Sequence, residues 1–93
     1  MFTLSIEHGI TDFQTWKGAF DHFAAAREQA GVQGHRILRP VGDEHYVVIE
    51  LDFPRREQAE GFRQFLYDVV WANSDASPAL AGAPQARVLE PIV

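Results

Sequence analysis

The sequence predicts an α+β domain whose elements run in the order βαββαβ. Three observations carry that expectation. Apolar and polar side chains alternate over residues 2–8, and over 45–53 every second side chain from Val47 to Phe53 is apolar, the period of a strand with one buried face. After each of these runs, apolar side chains recur at spacings of three and four, the period of a helix. The two halves are separated by a hairpin-like junction at Gly42-Asp43.

In the first strand, over residues 2–8, Phe2, Leu4 and Ile6 face one way and Thr3, Ser5 and Glu7 the other; Gly9 ends the run. Thr11 or Asp12 supplies an N-cap. Phe13, Trp16, Phe20, Phe23, Ala24 and Arg27 then mark one face of an amphipathic helix that stops at Gly31. Extended segments follow over residues 32–40 and 45–53, the second with Val47, Ile49, Leu51 and Phe53 on its apolar face. Gly42-Asp43 suits a two-residue type II′ turn, while Pro40 and Val41 leave room for a wider loop. Pro54 opens a second helix with Ala59, Phe62, Phe65, Leu66, Val69 and Val70 as its buried stripe. The stretch over residues 72–84, rich in Ala, Ser and Pro, reads as a loop with room for one helical turn over 78–81, and residues 85–93 close the chain as a fourth strand. Right-handed connections place the four strands antiparallel in the order 4-1-3-2 with both helices on one face, a ferredoxin-like arrangement.

Composition narrows the function classes. With 46% hydrophobic residues the chain is a folding one, and with no repeat or composition shift residues 1–93 are read as one domain. A net charge of −5 with eight scattered basic residues argues against nucleic acid and against an acidic membrane surface. No cysteine is present, which removes disulfides, thiolate nucleophiles and Cys-ligated zinc. The amino terminus lacks the pattern of a signal peptide and no run of about 18 apolar residues occurs, so a cytoplasmic location is expected.

Several residues carry a resemblance: Asp12-Phe13, Trp16 and Phe20-Asp21, then Gly31, Arg39-Pro40-Val41, Val47-Val48, Leu51-Asp52-Phe53, Ala59 with Phe62, and Pro78-Ala79-Leu80-Ala81-Gly82. Together they resemble the dimeric α/β-barrel superfamily, and more narrowly its small bacterial proteins near the antibiotic biosynthesis monooxygenases. The resemblance spans almost the whole chain. It implies a homodimeric barrel and a small metabolite, aromatic or polyketide-like, oxidised or cyclised without a cofactor. Relatives with oxygenase or haem-degrading activity use an Asn of the first strand with a Trp and a His near the second helix. Here Trp71 alone corresponds, because the only asparagine is Asn73 and no histidine follows His45.

Two sets of residues are candidates for chemistry. With Gly42-Asp43 at the centre of the hairpin, Arg39 faces Tyr46, Ile37 faces Val48 and His35 faces Glu50, all on the sheet face away from the helices. A His35–Glu50 pair raises the imidazole pKa and can act as a general base, or it is a cross-strand ion pair within a dimer interface. A slip of one residue abolishes it. The same register puts His8 and Arg36 on the helix-facing side, where Trp16, Phe20 and Trp71 wall a pocket in which His8 and Arg36 orient a polar or anionic aromatic ligand. The alternative is that His8 and Arg36 reach solvent at strand ends while the aromatics fill the core.

Asp43, Glu44 and His45 read as a solvated turn, and Asp21, His22 and Arg27 as surface or interface polar residues. No metal or cofactor is expected. The function expected is that of a small-molecule-binding dimer, a cofactor-independent monooxygenase or cyclase, against the alternative of a non-catalytic binding or assembly module. Dimerisation is expected because Ser5, Glu7, Ile37, Tyr46, Val48 and Glu50 are left on an uncovered sheet face.

Overall fold

The computed structural model describes all 93 residues. Four strands, β1 (Phe2–Ile10), β2 (Gly34–Leu38), β3 (Tyr46–Phe53) and β4 (Leu80–Leu89), form one antiparallel sheet in the order β2-β3-β1-β4. That is the expected order and the ferredoxin-like α+β topology. Two helices, α1 (Phe13–His22) and α2 (Ala24–Ala30), connect β1 to β2, and α3 (Arg56–Phe65) continues into a π-helical turn, Leu66–Val70, before β4.

The alternation read in β1 and β3 sets the core. Leu4 pairs with Leu51, Ile6 with Ile49 and His8 with Val47, so their side chains share the face that the helices cover. All six are buried there, with Phe53, Ala59, Phe62 and Trp16 packed against them. On the opposite face Thr3 donates to Asp52 at 2.9 Å and the Tyr46 hydroxyl donates to Glu7 at 2.8 Å, leaving a polar, uncovered sheet surface interrupted by Leu38 and Leu89.

The first helix is not continuous. Asp12 caps it, its carboxylate accepting from the Thr15 backbone N–H at 2.9 Å, but the chain leaves helical geometry at Phe23 (φ −93°, ψ 16°) before α2 begins. Gly31 then ends α2 in the left-handed region at φ 98°, where a side chain would meet Gln58 at 2.5 Å. Gln58 in turn accepts from the Arg55 backbone N–H at 3.1 Å, so α3 starts one residue after Arg55 rather than at Pro54.

Three further boundaries depart from expectation. β1 runs through Gly9 to Ile10, its pairing with β4 shifting between Glu7 and Gly9. β4 begins at Leu80, inside the stretch read as loop, and ends at Leu89. The β2–β3 connection is wider than a two-residue turn. The Asp43 N–H donates to the Pro40 carbonyl at 3.1 Å with Gly42 at φ 85°, and the Asp43 carboxylate then accepts from the His45 N–H at 2.9 Å. These bonds spread the turn over residues 39–45 and move the register by one: Arg36, not His35, stands opposite Glu50.

Candidate functional site

That slip redistributes the polar residues of β2. His35 lies opposite Leu51 on the helix-covered side, with its ring edge-on to Phe20 at 5.3 Å between centres. Arg36 lies on the uncovered face, where its Nε donates to a Glu50 carboxylate oxygen at 2.9 Å. Two expectations are thereby corrected. His35 and Glu50 do not form an acid–base pair, because the carboxylate is held by Arg36. Arg36 does not enter the space between sheet and helices, because the wider turn points it the other way.

His8, Trp16, Phe20 and Trp71 do converge on one cavity. It lies between the helix-facing side of β1 and β3 and the helices α1, α2 and α3, with about 80 Å³ of free space, and 14 of its 18 lining residues are hydrophobic. Trp16 and Phe20 stack with ring centres 5.2 Å apart and planes 29° apart. The spacing of four along α1 produces this, since residues i and i+4 stand one above the other on a helix face. His8 stands edge-on to both tryptophans, 6.3 Å from Trp16 and 6.4 Å from Trp71. Trp71 reaches it because the turn before it is π-helical, its N–H donating to the Leu66 carbonyl at 2.7 Å; this widened turn brings Leu66, Val70 and Trp71 together on the cavity wall.

The state of His8 follows from its surroundings. Its Nδ1 is 2.9 Å from the Gly9 carbonyl, which can only accept, so Nδ1 carries the proton and Nε2 is left with a lone pair. No fully buried side-chain nitrogen or oxygen in the chain lacks a partner, and Nε2 has none, so its lone pair stays accessible on a residue that lines the cavity. Burial lowers the imidazole pKa from 6.5, and the bond to Gly9 opposes this only in part. His8 is therefore a neutral base at neutral pH.

A pH dependence of stability follows. Because the folded pKa lies below the unfolded one, the contribution of neutral His8 is fully present above about 6.5 and is lost as pH falls through the folded pKa. NMR titration should show His8 protonating below 6.5; a midpoint at or above that value would contradict its burial as a neutral ring.

One residue at the site was not expected there. Arg27 is only 8% exposed and lines the cavity. Its guanidinium lies over Phe20, with Cζ 3.6 Å from the ring centre, and Nη1 donates to the Phe20 carbonyl at 2.6 Å. In an unbroken helix residues seven apart are about 10.5 Å apart along the axis; here the chain leaves helical geometry at Phe23, between the two residues that meet. The signal was present in the sequence, because Arg27 continues the Trp16–Phe20 stripe.

The turn residues Asp43, Glu44 and His45 form no ligand cluster, and no group of His, Asp and Glu side chains is placed to hold a metal. No helix is long and apolar enough to cross a membrane.

Fold and cavity together define a ferredoxin-like α+β chain with an aromatic-walled pocket between sheet and helices. The fold is shared with SnoaB, a cofactor-independent oxygenase from Streptomyces nogalater, at a TM-score of 0.70 and 16% identity over 97% of this chain and 91% of that one. The monooxygenase ActVA-Orf6 of Streptomyces coelicolor, solved with Nanaomycin D, is similar at a TM-score of 0.62 and 15% identity, covering 97% of this chain and 86% of that one. A dimeric ferredoxin-like protein from an uncultured marine organism gives 0.66 and 11%, over 100% and 96% of the two chains. No family model matches the chain, and no curated protein is similar to it in sequence. The resemblance read from the sequence thus holds at the level of the fold.

Proposed function

We propose that the chain is a cytoplasmic homodimer that binds a small aromatic or polyketide-like metabolite in the Trp16–Phe20–Trp71 pocket and oxidises it without a cofactor, His8 acting as the base. The observation that carries this reading is the open Nε2 of a neutral, buried His8 set between two tryptophans in an otherwise apolar cavity. The likeness in fold to two enzymes described as a cofactor-independent oxygenase and a monooxygenase supports it.

The chemistry is simple to balance. His8 Nε2 takes the proton of a phenol, and the electron-rich phenolate reacts with dioxygen. One oxygen atom ends in the ring and the other leaves as water, so that a naphthol plus dioxygen becomes a naphthoquinone plus water. An apolar pocket favours this by excluding water from the anion's reacting carbon. The free space is smaller than the roughly 300–1,000 Å³ of pockets that hold drug-sized ligands. A two-ring guest therefore has to push the wall outward, and on this reading that movement falls at Ala76, Ser77 and Pro78, the part of the wall outside helix and strand.

Oxygen uptake in a solution of naphthol and protein tests the reaction. Stoichiometric quinone and water production supports it, whereas saturable naphthol binding without oxygen uptake supports the second reading, a non-catalytic binding module. One observation favours that second reading: His8 is oriented by a backbone carbonyl, with no carboxylate behind it to strengthen it as a base.

Dimerisation rests on the uncovered sheet face with exposed Leu38 and Leu89, and on the dimeric ferredoxin-like proteins of the same fold. Sedimentation at micromolar concentration should give twice the 10.5 kDa chain mass; a single species at the chain mass would contradict it.

A further inference from the structure

We propose that Arg27 anchors a carboxylate on the pocket's aromatic ligand, so that the site selects aromatic acids over their neutral counterparts. This rests on the reading of the cavity as an aromatic-ligand pocket.

The argument begins from a cation with too few partners. Arg27 is almost wholly buried, yet none of the chain's ion pairs includes it. The neighbouring Asp21, which lies nearest to it in charge terms, is exposed and bound by Lys17 at 2.7 Å. Burying an uncompensated guanidinium is costly, and the cation–π contact with Phe20 offsets only part of that cost. Of its five N–H donors, Nη1 supplies the single hydrogen bond within the chain, to the Phe20 carbonyl.

The unused donors are the ones that matter. Nε and Nη2 share the other edge of the guanidinium, the edge that receives a carboxylate through two parallel hydrogen bonds. Neither has a partner within the chain, and since no fully buried polar atom is unpartnered, both keep exposed surface on a residue that lines the cavity. Phe20 holds the guanidinium plane fixed from one side, and Trp16 stacks on Phe20 to continue the aromatic surface towards His8. A planar aromatic acid matches this order, with its carboxylate at Arg27, its ring along Trp16 and its far end towards His8. A purely structural Arg27, stitching α2 to the end of α1 through Phe20, needs only Nη1 and makes no distinction between an acid and its amide.

Calorimetric titration of the intact protein with naphthoate and with naphthamide separates these roles. Naphthoate should bind at least about tenfold more tightly, the discrimination expected of a desolvated two-point charge-assisted contact. The Arg27→Gln variant should lose that ratio while still binding naphthamide, and Arg27→Lys should keep part of it. In the wild-type protein the Arg27 Nε–H resonance should shift with naphthoate and not with naphthamide, a readout that needs no variant to fold. Equal binding of acid and amide by the wild type, or an acid preference that survives Arg27→Gln, would overturn the anchor and leave the aromatic pocket standing. Failure of both compounds to bind would overturn the pocket reading itself, and the anchor with it.

Discussion

Replacing His8 with asparagine is expected to lower the rate of naphthol oxidation by about 10²–10⁴-fold, the usual contribution of a positioned general base. An asparagine amide can still donate to the Gly9 carbonyl from near the position of Nδ1, so the backbone bond at 2.9 Å has a substitute. What it lacks is the lone pair at Nε2. The loss should therefore fall on kcat, with KM little changed, because the aromatic walls that bind the ring are intact. Rates measured with an oxygen electrode on wild type and variant decide the matter. Unchanged turnover would remove His8 from the chemistry.

The largest effect on stability is expected at Phe53. Its side chain is fully buried at the end of β3, with its ring 6.0 Å from that of Phe62 on α3. Phe53→Ala should cost about 3–5 kcal/mol, the range for truncating a large core aromatic, out of the roughly 5–15 kcal/mol that holds a typical domain folded. Phe20→Ala should cost less, since Phe20 is only partly buried, at the edge of the cavity. Urea unfolding with an unchanged slope would measure both. A cost below about 1 kcal/mol at Phe53 would mean that β3 does not face the helices as described.

The contrast between what was legible and what was not has a physical cause in each case. β1 and β3 were legible because a strand buried on one face carries apolar side chains at every second position, and Leu4, Ile6, Val47, Ile49 and Leu51 do so. The helix faces were legible for the same reason at a different period, with Trp16 and Phe20 on one and Ala59 and Phe62 on the other. The β2 register was not. β2 is a short edge strand with only Ile37 and Gly34 partly covered, so its pattern constrains register weakly, and the turn decides it. Reading Gly42 as the first central residue of a type II′ turn, where it is the third residue of a turn beginning at Pro40, shifted every β2 side chain to the wrong face.

The candidate site divides along the same line. His8, Trp16, Phe20 and Trp71 sit on strongly patterned elements and meet at the cavity. Arg36 and the His35–Glu50 pair depended on the hairpin and do not. Arg27 reads as a surface residue because a charged side chain on a helix is ordinarily solvated, whereas here it is buried against Phe20. The one signal against that reading is its place on the Trp16–Phe20 stripe of the helix. The early start of β4 was likewise hidden, since Leu80, Ala81 and Gly82 lack strand propensity and are drawn into the sheet by pairing with Gly9 and Ile10.

The central claim is that an aromatic ligand occupies the space between sheet and helices, and the two tryptophans report on it directly. The chain has only Trp16 and Trp71, and both line the cavity, so every indole N–H resonance belongs to the site. Titration of the labelled protein with naphthol should shift both indole signals along one saturable binding curve, with the backbone signals of the uncovered sheet face unmoved. Indole resonances that stay in place while naphthol is added to saturation of its solubility would contradict the claim.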